Sequence, residues 1–212
     1  MPEQKPIQEP KRFNPSDPGT TESPSLALKY LLGHLDETRW SKILDLGPAV
    51  GANVEFFTQY SCKLFIADLF QAFSPGRSSL GLGGGALSRR LQQDLPSRDQ
   101  APFDIILAWD LLNYLEPEEM ETAGRHLAAL CNPKGLLFAL LSNHHQLPDR
   151  PISFGIVDID TLAYDNRSTA TRPSPHYREP DLKRHLPAFV VETSFLLRNG
   201  MQEYVLARRS SP

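Results

Sequence analysis

The stretch that most constrains the fold is residues 42–57, which read Lys-Ile-Leu-Asp-Leu-Gly-Pro-Ala-Val-Gly-Ala-Asn-Val-Glu-Phe-Phe. An apolar run ends at Asp45, the chain turns through small residues between Gly47 and Gly51, and apolar side chains then recur at helical spacing. Glycines let a backbone approach a ligand closely, and the start of a helix offers free N–H donors. This order of strand, loop and helix predicts an α/β fold with a polar ligand held at the loop.

A second apolar run, residues 63–69, carries Asp68 close to its end. Strand, helix and strand in sequence form a parallel βαβ unit, whose crossover is right-handed almost without exception. That geometry brings Asp68 to the same edge of the sheet as the loop after Asp45. Since ligands of such sheets bind outside the carboxyl ends of the strands, we expect both to face one ligand.

The remaining apolar runs predict the rest of the sheet. We expect helices at residues 25–37 and 51–59, a helix that starts at Glu116, and strands at residues 90–93, 103–110, 136–141, 189–197 and 201–207. Asn199-Gly200 joins the last two strands and is the strongest short signal for a hairpin. The sheet is therefore expected to end with an antiparallel pair.

Two glycine-rich or proline-rich segments are expected to be irregular. Residues 81–86, Gly-Leu-Gly-Gly-Gly-Ala, nominally match a dinucleotide fingerprint but follow no strand, so we expect a flexible connection over residues 70–87. Residues 1–24 are rich in proline and poor in apolar side chains, which is typical of a disordered or loosely packed tail. Residues 25–209 then form one domain, in which the polar residues 143–180 are expected to act as a lid or substrate segment.

Charge and cysteine content exclude several function classes. A net charge of -3 and a pI near 6.1 give no electrostatic reason to expect a nucleic-acid partner. Cys62 and Cys131 stand far apart in the sequence, so we expect neither a disulfide framework nor a metal site. No apolar run reaches the roughly 18 residues that span a bilayer. We expect a cytoplasmic protein without a membrane partner, and the sequence leaves the oligomeric state open.

These features together resemble the class I S-adenosylmethionine-dependent methyltransferases over about residues 25–209. The resemblance implies a Rossmann-like three-layer α/β sandwich with a mostly parallel seven-stranded sheet, closed by an antiparallel C-terminal hairpin. In that family an acid and a glycine-rich loop lie under the methionine part of the cofactor. The matching residues are Asp45, Gly47, Ala49 and Gly51, with Ala49 in place of the middle glycine.

The resemblance also implies which residues contact the ribose and adenine of the cofactor. Asp68 and Leu69 match the strand end that binds the ribose hydroxyls, and a carboxylate suits a diol because it accepts two hydrogen bonds. Asp94 and Leu95 match the element that reads the adenine edge, and Trp109 is expected to line the cofactor. S-adenosylmethionine is thus the expected cofactor, and a small molecule or a protein side chain the expected methyl acceptor.

Catalytic candidates follow the fourth and fifth strands. They are Asp110, Asn113, Tyr114 and His144. Asp110 could orient a nucleophile or cap a turn, Asn113 and Tyr114 could line the pocket or pack, and His144 could accept a proton or be a polar loop residue. Methyl transfer from a sulfonium depends mainly on positioning, so a dedicated base is needed only when the acceptor must lose a proton.

Two alternatives remain open at this point. A non-catalytic methyltransferase-fold protein that binds or scaffolds would explain Ala49 and the absence of an evident base. An NAD(P)-dependent oxidoreductase would also use the first βαβ unit and Asp68, although the loop residues in that register and the terminal hairpin argue against it.

Overall fold

The computed structural model describes residues 15–16, 19–35, 39–73, 83–165 and 170–209. None of the helices in these ranges combines the length and the apolar character that crossing a bilayer requires. The helices are α1 (Leu26–Leu32), α2 (Gly51–Phe57), α3 (Gly83–Asp94), α4 (Pro117–Leu130) and α5 (Glu179–His185). Short 3-10 helices follow two strand ends, at Leu69–Phe73 and Leu111–Tyr114.

Six strands form the main sheet. They are β2 (Ser41–Asp45), β3 (Cys62–Ile66), β4 (Phe103–Leu107), β5 (Cys131–Ser142), β10 (Phe189–Leu196) and β11 (Met201–Arg208). The order across the sheet is β10-β11-β5-β4-β2-β3. Strands β3, β2, β4 and β5 are parallel, whereas β11 is antiparallel to β5 and β10 is antiparallel to β11. The strand order reverses at β2, which makes the crevice between the ends of β2 and β4 the topological switch point.

Both faces of this sheet are covered, which explains why its central strands read as continuous apolar runs. Helices α3, α4 and α5 pack on one face, around Leu91, Met120 and Leu182. Helices α1 and α2 pack on the other, around Leu28, Phe57 and Phe138. The result is a three-layer α/β fold with a mixed sheet.

The prediction of a third strand at residues 90–93 is wrong, because these residues lie inside α3. Leu87 and Leu91 stand one helical turn apart and are both buried, and α3 packs against α4. That i, i+4 spacing outweighs the glycines at the start of the helix. The sheet consequently has six strands among the described residues and not the seven predicted, and the expected flexible connection at 70–87 is helical from Gly83 onward. Residues 74–82, which include part of the nominal fingerprint, lie outside the described residues.

Residues 143–180 are more structured than predicted. They contain β6 (Gln146–Pro148), β7 (Phe154–Asp158), β8 (Thr161–Asp165) and β9 (Thr171–Pro173). Strands β7 and β8 form a second sheet with β1 (Thr20–Pro24), in the order β1-β8-β7. The loose tail expected up to residue 24 therefore differs from the structure in its last residues, while residues 1–14, 17 and 18 lie outside the described residues.

The turn between β10 and β11 has three residues instead of two. Leu197 N–H donates to the carbonyl of Met201 at 2.8 Å, and residues 198–200 form the loop between them. Gly200 has a φ of +78°, a region that glycine enters without strain. Asn199 does not have a positive φ, so of the two residues expected to adopt positive φ in the turn only Gly200 does so.

Candidate functional site

Asp45 organises the loop at the end of β2. Its side chain is 1% exposed, and its Oδ1 accepts hydrogen bonds from Trp109 Nε1 at 2.6 Å and from Gly47 N–H at 2.9 Å. Burial raises the pKa of Asp45 to about 6, even though these hydrogen bonds favour the charged form. The carboxylate thus holds the loop and β4 together and does not face solvent.

Trp109 fills the switch-point crevice. It follows β4, has a φ of 50° and is 2% exposed. A Cβ built on Gly47 would lie 2.8 Å from Cδ1 of the indole, so Gly47 must be glycine to admit this ring. The ring of Phe154 stacks on the other side, at a centroid distance of 5.6 Å and an angle of 6°. Trp109 lies at the edge where the sequence predicted it, and its indole fills the space above Gly47.

A segment that we call the strap, residues 150–156, crosses this edge. Asn53 in α2 donates to the carbonyl of Phe154 at 3.1 Å and accepts from Ile156 N–H at 2.7 Å. Asp110 Oδ2 accepts from Ile152 N–H at 3.2 Å. The hydroxyl of Tyr114 donates to the carbonyl of Arg150 at 2.9 Å. Three side chains of the α/β frame therefore hold the backbone of one continuous segment over Trp109.

Asp110 is buried under the strap and is 3% exposed. Burial raises its pKa to about 8, and the hydrogen bond from Ile152 offsets this only in part. The carboxyl is consequently neutral near pH 7. This arrangement holds the strap, in place of the nucleophile-orienting role that was one expectation for Asp110.

The polar side-chain groups of Asn113 and Tyr114 also form hydrogen bonds within the protein. The Asn113 amide donates to the carbonyls of Asp110 and Leu140 at 2.9 and 2.8 Å, and its oxygen accepts from Ser142 N–H at 3.0 Å. All of these groups are buried, so Asn113 fastens the end of β4 to β5 and has no exposed polar atom to offer a substrate. Tyr114 is buried as well, with its hydroxyl bound to the strap.

Asp68 is the acid of this edge that solvent reaches. It is partly exposed and lies two residues past β3, next to the end of β2. Its Oδ1 accepts from Phe70 N–H at 3.1 Å and its Oδ2 from the amide of Gln71 at 2.9 Å. Each carboxylate oxygen has room for a further hydrogen bond, so Asp68 can still accept from a diol. Leu69 beside it is buried and donates its N–H to the carbonyl of Leu46 at 3.0 Å.

The loop after Asp45 is partly open. Ala49 and Gly51 are exposed, and a Cβ on Gly51 would meet no atom within 4 Å. Unlike Gly47, these two positions leave free space on the solvent side. The open part of the candidate site therefore runs from Ala49 and Gly51 to Asp68.

Asp94 and Leu95 are not brought to this edge. Helix α3 leads from the carboxyl end of β3 to the amino end of β4, so its last residue, Asp94, lies towards the opposite edge. The carboxylate of Asp94 pairs with Arg90 one turn earlier, and Leu95 is buried in the core under α3. The predicted adenine contact of these residues depended on the third strand that the structure replaces with a helix.

His144 follows β5 but faces away from the switch point. Its Nε2 donates to the carbonyl of Asn199 at 2.6 Å, in the turn that precedes β11. Strand β11 lies three strands from β2, which corresponds to about 14 Å. His144 is therefore placed to support the β10–β11 turn, and no contact of its ring joins it to Asp45 or Trp109.

The polar groups at this edge fit the ribose part of the expected cofactor, S-adenosylmethionine, but not its other part. Asp68 and the open loop suit a ribose, whereas the crevice above Gly47 is filled by the indole of Trp109. His, Cys, Asp and Glu side chains of the described ranges form no group of three or more that could hold a metal ion. Sequence reasoning missed Asn53 and Phe154, because the strap approaches α2 from a hundred residues further along the chain.

Comparison with known proteins gives structural neighbours only. No protein-family model matches the sequence, and no curated protein matches it. The 1,6-didemethyltoxoflavin-N1-methyltransferase of Burkholderia thailandensis, with bound 1,6-didemethyltoxoflavin and S-adenosylhomocysteine, is similar at a TM-score of 0.49 and 19% identity, over 87% of this chain and 76% of that chain. The magnesium protoporphyrin IX methyltransferase of Synechocystis PCC 6803, with bound S-adenosylmethionine, is similar at a TM-score of 0.48 and 14% identity, over 85% of this chain and 76% of that chain.

A third neighbour is the pyocyanin biosynthetic protein PhzM, at a TM-score of 0.45 and 16% identity. The match covers 86% of this chain and 54% of PhzM, so this chain spans about half of that protein's length. The first of the two methyltransferases holds S-adenosylhomocysteine and the second holds S-adenosylmethionine. At these identities and TM-scores the likeness transfers neither an activity nor the role of any residue to this chain.

Proposed function

We propose that this chain is an S-adenosylmethionine-dependent methyltransferase that acts on a small molecule or a protein side chain. The observation that carries the proposal is the accessible carboxylate of Asp68, which lies beside the glycine loop at the switch point of a doubly wound sheet. Ligands of such sheets bind in the crevice outside the carboxyl ends of the strands. Asp68 would hold the ribose hydroxyls, and the loop at Ala49 and Gly51 would pass beneath the rest of the cofactor.

The bound cofactor would supply an electrophilic methyl group on a sulfonium. The polar groups of Asn113 and Tyr114 are hydrogen-bonded within the protein, and Asp110 is neutral near pH 7, so none of the three serves as a base. The residues of the chain would instead position the two reactants and exclude water from them. An acceptor that reacts without losing a proton to the enzyme fits this arrangement best.

Isothermal titration with S-adenosylhomocysteine tests the proposal. We expect Asp68→Ala to weaken binding by roughly 1.5–3 kcal/mol, because a charge-assisted pair to the ribose is removed. Asp99→Ala is the matched control, since Asp99 is an exposed acid in the turn before β4, at the other edge. If the wild-type chain binds no S-adenosylhomocysteine at high micromolar concentration, the proposal is wrong.

One observation favours a second candidate, a non-catalytic methyltransferase-fold protein. Trp109 fills the crevice above Gly47, as a residue would in a protein that no longer uses that part of the site. Binding of S-adenosylhomocysteine without transfer of a labelled methyl group to any pool of cellular small molecules or proteins would favour this candidate.

A further inference from the structure

We infer that the strap and Trp109 form a gate, which closes the switch-point crevice in the free protein and has to withdraw before a ligand can bind above Gly47. The inference deepens the proposed function and rests on it, because it concerns how the same site is regulated. It is carried by three features: the filled crevice, the way in which the strap is held, and the cavity behind it.

The crevice is closed by two aromatic rings in sequence. The indole of Trp109 lies against Gly47 and is tied to Asp45, and Phe154 of the strap covers its other face. The ring of Phe154 thus covers one face of the indole. Any ligand that needs this space therefore requires both rings to move.

The side chains of the α/β frame hold the strap through a few hydrogen bonds, while its residues 154–156 also pair with β8 in the second sheet. Four hydrogen bonds, two from Asn53 and one each from Asp110 and Tyr114, end on its backbone. None of these four hydrogen bonds is reinforced by an ion pair or a covalent link, and we call them the latch. The residues that form the latch follow the two elements that border the crevice: Asn53 follows the glycine loop, and Asp110 and Tyr114 follow β4.

A small apolar cavity lies behind Phe154. It has a volume of about 30 Å³ and lies between the second sheet and β5, lined among others by Leu140, Phe154, Leu162, Tyr164 and Met201. Phe154 thus separates this cavity from Trp109. The cavity is too small to take up a phenyl ring, so Phe154 would have to move together with the strap, and its withdrawal would join the cavity to the crevice.

A gate of this kind lowers affinity by the fraction of molecules that are open, so loosening the latch should tighten binding. We expect Asn53→Ala to bind S-adenosylhomocysteine roughly tenfold more tightly than the wild type, because it removes two of the four latch bonds. Tyr114→Phe removes only the bond to Arg150 and should give a smaller change of the same sign. Glu55→Ala, at an exposed position of the same helix as Asn53, is the control and should leave affinity unchanged.

Trp109 itself reports the position of the gate. The chain has two tryptophans, and Trp40 is 72% exposed, so a Trp40→Phe background leaves Trp109 as the single fluorophore. In this background we expect blue-shifted emission that acrylamide quenches poorly. Adding S-adenosylhomocysteine, or introducing Asn53→Ala without ligand, should shift the emission to the red and increase quenching.

The outcomes separate the gate from the proposed function. If S-adenosylhomocysteine binds while Trp109 stays unquenched and the latch variants keep wild-type affinity, the gate is refuted and the proposed function stands. If the wild type binds and the latch variants bind more tightly, the gate is supported as an autoinhibitory contact. If neither the wild type nor Tyr114→Phe binds S-adenosylhomocysteine, both the gate and the proposed function are wrong. Tyr114→Phe is included because the test then remains valid even if Asn53→Ala does not fold.

Discussion

The indole nitrogen of Trp109 donates a 2.6 Å hydrogen bond to Oδ1 of Asp45, and this bond joins the end of β4 to the end of β2 across the switch point. Asp45 was predicted as a ligand-facing acid of the loop. The structure instead shows a buried carboxylate whose partner is part of the protein, and the same indole explains why Gly47 carries no side chain.

Removing the donor from this pair should be costly. Trp109→Phe keeps an aromatic ring but leaves the buried Asp45 with one hydrogen bond fewer, so we expect the free energy of unfolding to fall by about 1–3 kcal/mol. Urea denaturation at pH 7 measures the loss. Trp40→Phe, at an exposed position, should change stability by less than about 0.5 kcal/mol, and an equal effect of the two substitutions would contradict the role given to Trp109.

The two glycines of the loop should respond in opposite ways to the same substitution. Gly47→Ala places a methyl group 2.8 Å from the indole and is expected to destabilise the protein by roughly 1–3 kcal/mol through overpacking. Gly51→Ala meets no neighbouring atom and lies in the first turn of α2, so it should be neutral or stabilising by up to about 1 kcal/mol. Thermal and urea denaturation of the pair provide the comparison, and a destabilised Gly51→Ala would show that the open space has been misplaced.

The buried carboxyl of Asp110 should make stability depend on pH. Its pKa is about 8 in the folded protein and about 3.9 in the unfolded chain, so between these values the folded state holds the extra proton. The free energy of unfolding therefore falls as the pH rises from about 4 to about 8 and levels off above that. Asp110→Asn, which keeps an acceptor for Ile152, should be close to the wild type at pH 5 and more stable than it at pH 8.5, by on the order of a few kcal/mol.

Asp45 contributes a similar loss of stability at lower pH, since its folded pKa is about 6. The Asp45 effect levels off above pH 6, so measuring unfolding between about pH 6.5 and 8 isolates the effect of Asp110. Tyr114 and Arg172 face the same pocket and are kept unchanged in this comparison. Parallel pH profiles of the wild type and Asp110→Asn would rule out the burial-driven shift.

The turn before β11 offers a double-mutant cycle. Gly200→Ala introduces a side chain at a φ of +78° and puts its Cβ 2.7 Å from Nε2 of His144, so we expect a loss of about 1–3 kcal/mol. In a His144→Ala background the steric part disappears and only the backbone strain remains, so the same change should cost less. The difference between the two costs, obtained from urea denaturation, measures the contact between the residues. Equal costs in both backgrounds would mean that His144 does not rest against this turn.

Local sequence signals predicted the parallel core well and its surroundings poorly. The strand that ends at Asp45 and the helix that starts after Glu116 are visible because burial on both faces and an early proline leave local patterns. Helix α3 was missed because its glycines and the Ser74-Pro75-Gly76 turn signal before it masked the regular spacing of Leu87 and Leu91.

The closed crevice could not be predicted in this way. It depends on Asn53 meeting Phe154 across about a hundred residues of sequence and on β1 pairing with β8 across a still longer separation. Neither contact leaves a periodic pattern. Asp68 was predicted correctly as an acid next to the loop because it needs only the βαβ unit to reach that place.

All four latch bonds end on main-chain atoms of the strap, whereas the side chains that supply them belong to the frame. Replacing Ile152 or Ser153 would thus alter what the strap presents to an incoming molecule and leave its fastening intact. Because the fastening uses only main-chain atoms, it sets no requirement on the side chains of residues 150–153, and the limit on them comes instead from packing, as the buried Pro151 and the core contact of Ile152 show.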